Sequence, residues 1–169
     1  MERLEISDCV KSVVRSHEVE NANFKNKSQM VLTEGTEVWG ENYWITPAGA
    51  TGSKAQLVVD LGCEKTVNGF YVRNTHNGER RNRAMNEFSI LTSSSSAGPW
   101  DEGLRGSLED ATQAEIEMTV FFPLPILFHY MTVRYVMVQV DSYYGYSGGL
   151  QYFSENEADK EGATYSGIR

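Results

Sequence analysis

Gln56 to Val72 reads QLVVDLGCEKTVNGFYV, and this stretch decides the fold. Gln56 to Leu61 is an apolar run closed by Gly62, and Val67 to Val72 resumes four residues later with β-branched and aromatic side chains. Short runs of this kind, bounded by turn residues, are strands. Side chains branched at Cβ pack well on a pleated surface and lose rotamer freedom in a helix. The two runs are expected to pair as neighbours.

Working outward, Glu87 to Thr92 alternates Phe88, Ile90 and Thr92 against Glu87, Ser89 and Leu91, then enters a Ser-Ser-Ser-Ser-Ala-Gly-Pro turn before Trp100. Ile116 to Phe122 and Met131 to Val140 supply two later strands, and most of the second reads as buried on both sides. A last strand, Gly149 to Ser154, follows a loop rich in Tyr and Gly, from Tyr143 to Gly148. No segment sustains helical periodicity, so the fold class is all-β, a sandwich or jelly roll. Residues 29–154 are read as one domain. Residues 1–28 are an N-terminal extension or the domain's first segment, and 155–169 form a polar C-terminal tail.

A chain of 169 residues holds one core without needing metal or disulfide staples. Its 15 basic and 23 acidic residues give a net charge of −8, so a sequence-independent grip on nucleic-acid phosphates would work against overall repulsion. The basic residues concentrate once, at Arg73, Arg80, Arg81 and Arg83; an anionic or sugar ligand and a solvated loop both explain them. The longest apolar run, Val120 to Phe128, contains Pro123 and Pro125 and is too short for a transmembrane segment, which needs about twenty residues. Cys9 and Cys63 lack the spacing of a zinc site and are either bridged or free thiols. Met1 to Arg15 carries charges at Glu2, Arg3, Glu5 and Asp8 and shows no signal peptide, so a cytoplasmic location stays open.

Catalysis finds no foothold. The histidines, His17, His76 and His129, sit in no nucleophile or zinc-protease motif, and there is no Gly-x-Ser-x-Gly, phosphate loop or dinucleotide fingerprint. The chain is expected not to be an enzyme.

Tyr43-Trp44, Val59 to Gly62, Phe70 to Asn77, Asn86 to Ile90 with Gly98-Pro99-Trp100, Val133 to Val136 and Gly148 to Phe153, in that order, resemble the discoidin, or coagulation factor V/VIII C-type, domains. Tyr43-Trp44 stands sixteen residues before Val59-Asp60-Leu61-Gly62, like the family's tryptophan and its VDLG strand end. Phe70-Tyr71-Val72-Arg73-Asn74-Thr75-His76-Asn77 resembles the strand and loop of a subgroup with an Asn-x-His-Asn signature. Asn86 to Ile90 with Gly98-Pro99-Trp100, then Val133-Arg134-Tyr135-Val136, then Gly145 and Gly148 to Phe153, continue the likeness from Thr33 to Ser154. The resemblance implies a galactose-binding-like jelly-roll β-sandwich of discoidin type. It further implies a non-catalytic binding or cell-adhesion module, extracellular, with ligands met by loops at one end. The sequence departs from the family at Glu37 to Asn42, where an Asp-Gly-Asn type turn is usual, and at Asn82-Arg83-Ala84-Met85. The spacing of one His and two Arg used by fucose-binding relatives is not reproduced.

On that resemblance the ligand loops are Glu37 to Tyr43 and Asn74 to Asn86, with Tyr143 to Tyr146 as a third. Trp39 and Tyr43 are suited to stack on a sugar or wedge into lipid. His76 and Asn77 offer directional hydrogen bonds, and Arg80, Arg81 and Arg83 offer forked donors; Tyr144 completes the ligand-binding set. Asn74, His76 and Asn77 equally suit the satisfaction of backbone groups within the loop, and Trp44 and Trp100 are expected in the core. The expected partner is a glycan or other cell-surface ligand. The alternative is a protein or anionic-lipid interaction domain using its loops or the apolar Phe121 to Phe128 segment. No cofactor is implied. Calcium, with no ligand set assigned, has hard oxygen donors at hand near Asn21, Asn23, Asn26 and Ser28.

Overall fold

Apolar runs bounded by turns become eight strands in the computed structural model, which describes residues 9–18, 28–32, 44–75, 84–109, 119–125, 130–145 and 147–158. They are β1 (Ser12–Ser16), β2 (Trp44–Ile45), β3 (Gln56–Asn74), β4 (Glu87–Ser93), β5 (Asp101–Ser107), β6 (Thr119–Pro123), β7 (Met131–Val140) and β8 (Gly149–Glu157). All of their pairings are antiparallel. The first half of β3 lies between β1 and β7, and β7 leads on through β4 to β5, giving the order β1-β3-β7-β4-β5. The second half lies between β8 and β6, giving β2-β8-β3-β6.

The two runs expected to pair with each other are therefore one strand, and neither is the other's hydrogen-bonding neighbour. Their true relation follows from chain length. Val140 N–H hydrogen-bonds the carbonyl of Ala55 just before β3, and Leu150 stands opposite Asn74 at its end. A straight strand of 19 residues would separate those ends by about 60 Å. Yet a Cβ added to Gly148 would lie 2.8 Å from Val140 Cγ1, so the two ends of β3 meet. β3 folds over between Asp60 and Lys65, where its ladder to β7 is interrupted and Gly62 has φ 92°. Alternating burial reported which face each run presents and was silent about its partner.

The two halves thus contribute to facing sheets of a jelly-roll sandwich. Leu57, Val59, Leu61, Ile90, Val136 and Val138 from one sheet pack on Phe70, Val72, Leu150 and Phe153 from the other. Phe88 of β4 meets Phe122 of β6 edge to face at 5.0 Å across the middle, and Phe70 stacks on Phe153 at 5.5 Å. Trp44 is fully buried as expected, its Nε1 donating to the His17 carbonyl at 2.8 Å; Trp100 is only half-buried.

Charge pairs and one covalent bond hold the turned end. Asp60 accepts from Arg134 Nε at 2.9 Å and from Gly62 N–H at 2.8 Å, so two of the quoted motifs, one on β3 and one on β7, meet at the bend. The hydrogen bond from Arg134 holds the Asp60 carboxyl below its ordinary range against a smaller opposing effect of burial. Cys9 and Cys63 are bridged, with Cα atoms 5.5 Å apart. Beside them Glu155 accepts from Lys11 at 3.1 Å and Lys65 at 3.0 Å. β8 therefore continues three residues past Ser154, and the polar stretch from Glu155 to Glu157 is strand.

Candidate functional site

Because β3 doubles back, the end of β3, the start of β4, the end of β7 and the start of β8 all lie at one end of the sandwich. The connections from Thr75 to Asn86 and from Asp141 to Gly148 arise there, and β2, antiparallel to β8, ends there with Ile45 opposite Gly149. This is the end at which the sequence reading placed the ligand.

The described residues form the frame of that end. Asn74, buried at the tip of β3, accepts at Oδ1 from Met85 N–H and from Thr75 N–H, both at 2.9 Å, and donates from Nδ2 to the Met85 carbonyl at 2.9 Å. It closes the loop's base, which is the backbone-satisfying role considered for it. Met85 forms an antiparallel bridge with Tyr143, Asn86 N–H donates to the Ser142 carbonyl at 2.8 Å, and Tyr144 N–H donates to the Ala84 carbonyl at 3.0 Å. Thr46 reaches across from behind β2, exchanging hydrogen bonds with Gly148. The segment 76–83 thus leaves and returns through a fixed gate. Thr75 Oγ1 is buried in that gate without a hydrogen-bond partner.

Of the eight residues read as ligand-binding, Tyr144 is described. It is 38% exposed, and its hydroxyl lies 2.7 Å from the Leu108 carbonyl and 3.0 Å from Asn86 Oδ1, tying the ring to the ends of β4 and β5. Trp39, Tyr43, His76, Asn77, Arg80, Arg81 and Arg83 lie outside the described residues. Arg73, the first of the basic cluster, is not at the gate's mouth. It lies on the outer face of the β8-β3-β6 sheet, donating to Thr119 Oγ1 at 2.9 Å with its guanidinium 5.6 Å from the Tyr152 ring centroid. Asn21, Asn23 and Asn26 also lie outside the described residues; Ser28 donates to Glu18 at 2.7 Å.

His17 has a structural role, its Nδ1 accepting from Gln56 N–H at 3.0 Å, while His76 and His129 lie outside the described residues. Among the described residues no group of three or more His, Cys, Asp or Glu is placed to hold a metal ion, and no helix is long and apolar enough to cross a membrane. Sequence reading missed Met85 as the second jaw of the gate. The available signal was the apolar pair Ala84-Met85 between Arg83 and Asn86, fully buried in the fold.

No family model matches the chain, and no curated protein matches it. Solved structures do. A family 32 carbohydrate-binding module from a family 31 glycoside hydrolase of Clostridium perfringens superposes with TM-score 0.65 at 12% identity, over 93% of this chain and 99% of that one. The family 32 module of Streptococcus pneumoniae EndoD gives 0.62 at 11%, over 89% and 97%. The family 32 module of C. perfringens NanJ, solved with galactose, gives 0.59 at 13%, over 88% and 93%. At these identities the likeness is one of fold: the galactose-binding-like sandwich that such modules share with discoidin domains.

Proposed function

We propose that the chain is a non-catalytic glycan-binding module whose ligand meets the loop end. The observation that carries this reading is the gate: Asn74, Met85, Tyr143 and Tyr144 fix both feet of the segment holding His76, Asn77, Arg80, Arg81 and Arg83. A rigid frame under a loop rich in directional donors suits hydroxyl recognition, since ordering the loop costs less on binding. Trp39 and Tyr43, just ahead of buried Trp44, supply the aromatic faces on which a sugar ring stacks. Likeness to modules solved with galactose and with 4,5-unsaturated mannuronic acid supports the same class of ligand. The Cys9–Cys63 bridge supports an extracellular setting, where disulfides persist.

A glycan array with the purified domain, followed by calorimetry on the best ligand, tests the reading. Saturable binding is expected, weakened about tenfold or more by His76→Ala or Arg81→Ala at unchanged melting temperature. A folded domain that captures no glycan, or binding indifferent to these substitutions, overturns it.

A further inference from the structure

The outer face of the β1-β3-β7-β4-β5 sheet carries a groove of about 360 Å³. Its walls come from three adjacent strands in register. Ser107 of β5 stands opposite Glu87 of β4, and Arg105 opposite Ser89; Ser89 faces Gln139 of β7 on its other side. Asp141, one step past β7, hydrogen-bonds the Glu87 carbonyl through its N–H at 2.8 Å. These are alternate positions on each strand, so the polar side chains share one face while Phe88 and Ile90 fill the core on the other.

The polar groups hold one another in place. Ser89, 6% exposed, donates to Asp141 Oδ2 at 2.6 Å, and Gln139 Nε2 donates to Asp141 Oδ1 at 3.0 Å. Gln56 of β3 donates to Gln139 Oε1 at 2.8 Å, extending the chain of bonds across a fourth strand. Ser142 Oγ donates to Glu87 Oε1 at 3.2 Å, and Arg105 Nε donates to Glu102 at 2.9 Å. Side chains already ordered in the free protein lose little freedom on binding.

What this array recognises follows from its donors and acceptors. Each carboxylate oxygen has two lone-pair positions, so Asp141 and Glu87 retain acceptor capacity, and the amide of Gln139 and the guanidinium of Arg105 retain N–H donors. An anion would face two carboxylates and one guanidinium already shared with Glu102. A cation would face that guanidinium, and no three metal-ligating side chains converge among the described residues. A neutral molecule with adjacent hydroxyls, each able to donate and accept, matches both kinds of partner. The lining offers no exposed aromatic face, since Phe88 is fully buried. Recognition would rest on hydrogen bonds alone, with affinity on the order of millimolar.

We propose that this groove is a second ligand site, separate from the loop end, that takes a neutral sugar unit edge-on between Asp141, Glu87, Gln139 and Arg105. It stands on its own residues and does not require the loop end to bind anything.

Backbone amide NMR titration of the wild type, Arg105→Ala, Gln139→Ala and Arg81→Ala with methyl galactoside, N-acetylgalactosamine, glucose and mannose, each to about 50 mM, tests it. At least one sugar is expected to move the Ser89, Arg105, Gln139 and Asp141 amides saturably. That response should weaken about tenfold in Arg105→Ala and Gln139→Ala and persist in Arg81→Ala. Should Gln139→Ala fail to fold, the exposed Arg105→Ala carries the comparison. Groove amides that stay still with every sugar, or that respond equally in the groove variants, overturn the second site. Movement confined to the loop end would overturn it while leaving the loop-end reading intact, and movement confined to the groove would do the reverse.

Discussion

The side-chain amide of Asn74 pairs with the backbone of Met85 as a neighbouring strand would, accepting from its N–H and donating to its carbonyl, each at 2.9 Å. Asn74→Ala removes both bonds and the one to Thr75 N–H in a buried site. A loss of about 2–4 kcal/mol is expected in urea denaturation. Asn74→Asp does not rescue it, because a carboxylate cannot donate to the Met85 carbonyl. A change below about 0.5 kcal/mol in Asn74→Ala would show that the gate closes without this side chain.

Glu155 predicts a pH dependence. Burial pushes its carboxyl up, but the hydrogen bond from Lys65 and the charge of Lys11 together outweigh burial and hold it below its ordinary 4.5. A carboxyl depressed in the folded state adds stability above its unfolded value, and that contribution is lost as pH falls through the lower folded value. Wild-type stability should therefore fall steeply below about pH 4.5. Glu155→Gln should cost roughly 1–2 kcal/mol at neutral pH, allowing for the partly exposed lysines, and flatten that acid limb. Parallel acid limbs in the two proteins would remove Glu155 from the account.

The disulfide closes a long loop, its cysteines 54 positions apart. Constraining the unfolded chain to that extent is worth about 2–4 kcal/mol. The Cys9→Ser, Cys63→Ser double variant, or the reduced wild type, should melt about 5–15 °C lower by calorimetry. An unchanged melting temperature would mean that the Lys11 and β1 contacts hold the first segment alone.

Gly149 packs against the Trp44 carbonyl so closely that an added Cβ would overlap the oxygen, and that contact is backbone, unable to rotate away. Gly149→Ala should separate β2 from β8, unseat buried Trp44 and cost about 3 kcal/mol or more, read as insolubility or an early urea midpoint. A soluble variant of near-native stability would show that β2 can shift at little cost.

The residues that spoke clearly in the sequence were those whose burial forces a pattern. The ten residues of β7 read correctly to the residue, and β4 within one, because Phe88, Ile90, Val136 and Val138 can sit only on a core face. The two edge strands of the β1-β3-β7-β4-β5 sheet were silent: β5 reads Asp-Glu-Gly-Leu-Arg-Gly-Ser, with Leu104 its one large buried side chain, and β1 buries none fully. At the loop end, the sequence offered Tyr144 as a ligand contact, and its hydroxyl is engaged with Leu108 and Asn86. Of the groove side chains, Ser89 stood in the polar half of the β4 alternation, Gln139 lay in a strand read as mostly buried on both sides, and Asp141 was assigned no role. Only cross-strand register brings residues 50 positions apart into one row, and no local pattern encodes register.

The doubled-back β3 also governs how the protein comes into being. It is an interior strand of both sheets, yet three of its four partners, β6, β7 and β8, are made after it, and the last ends at Glu157. At ribosomal speeds the roughly 80 residues between Asn74 and Glu157 take on the order of 5–15 s to emerge. Until they emerge, the Gln56–Asn74 segment has β1 as its one strand partner already made, and its remaining edges are unfilled. The nascent chain cannot set piece by piece as it appears; it must wait for its far end, and in that wait it depends on whatever shields it from its neighbours.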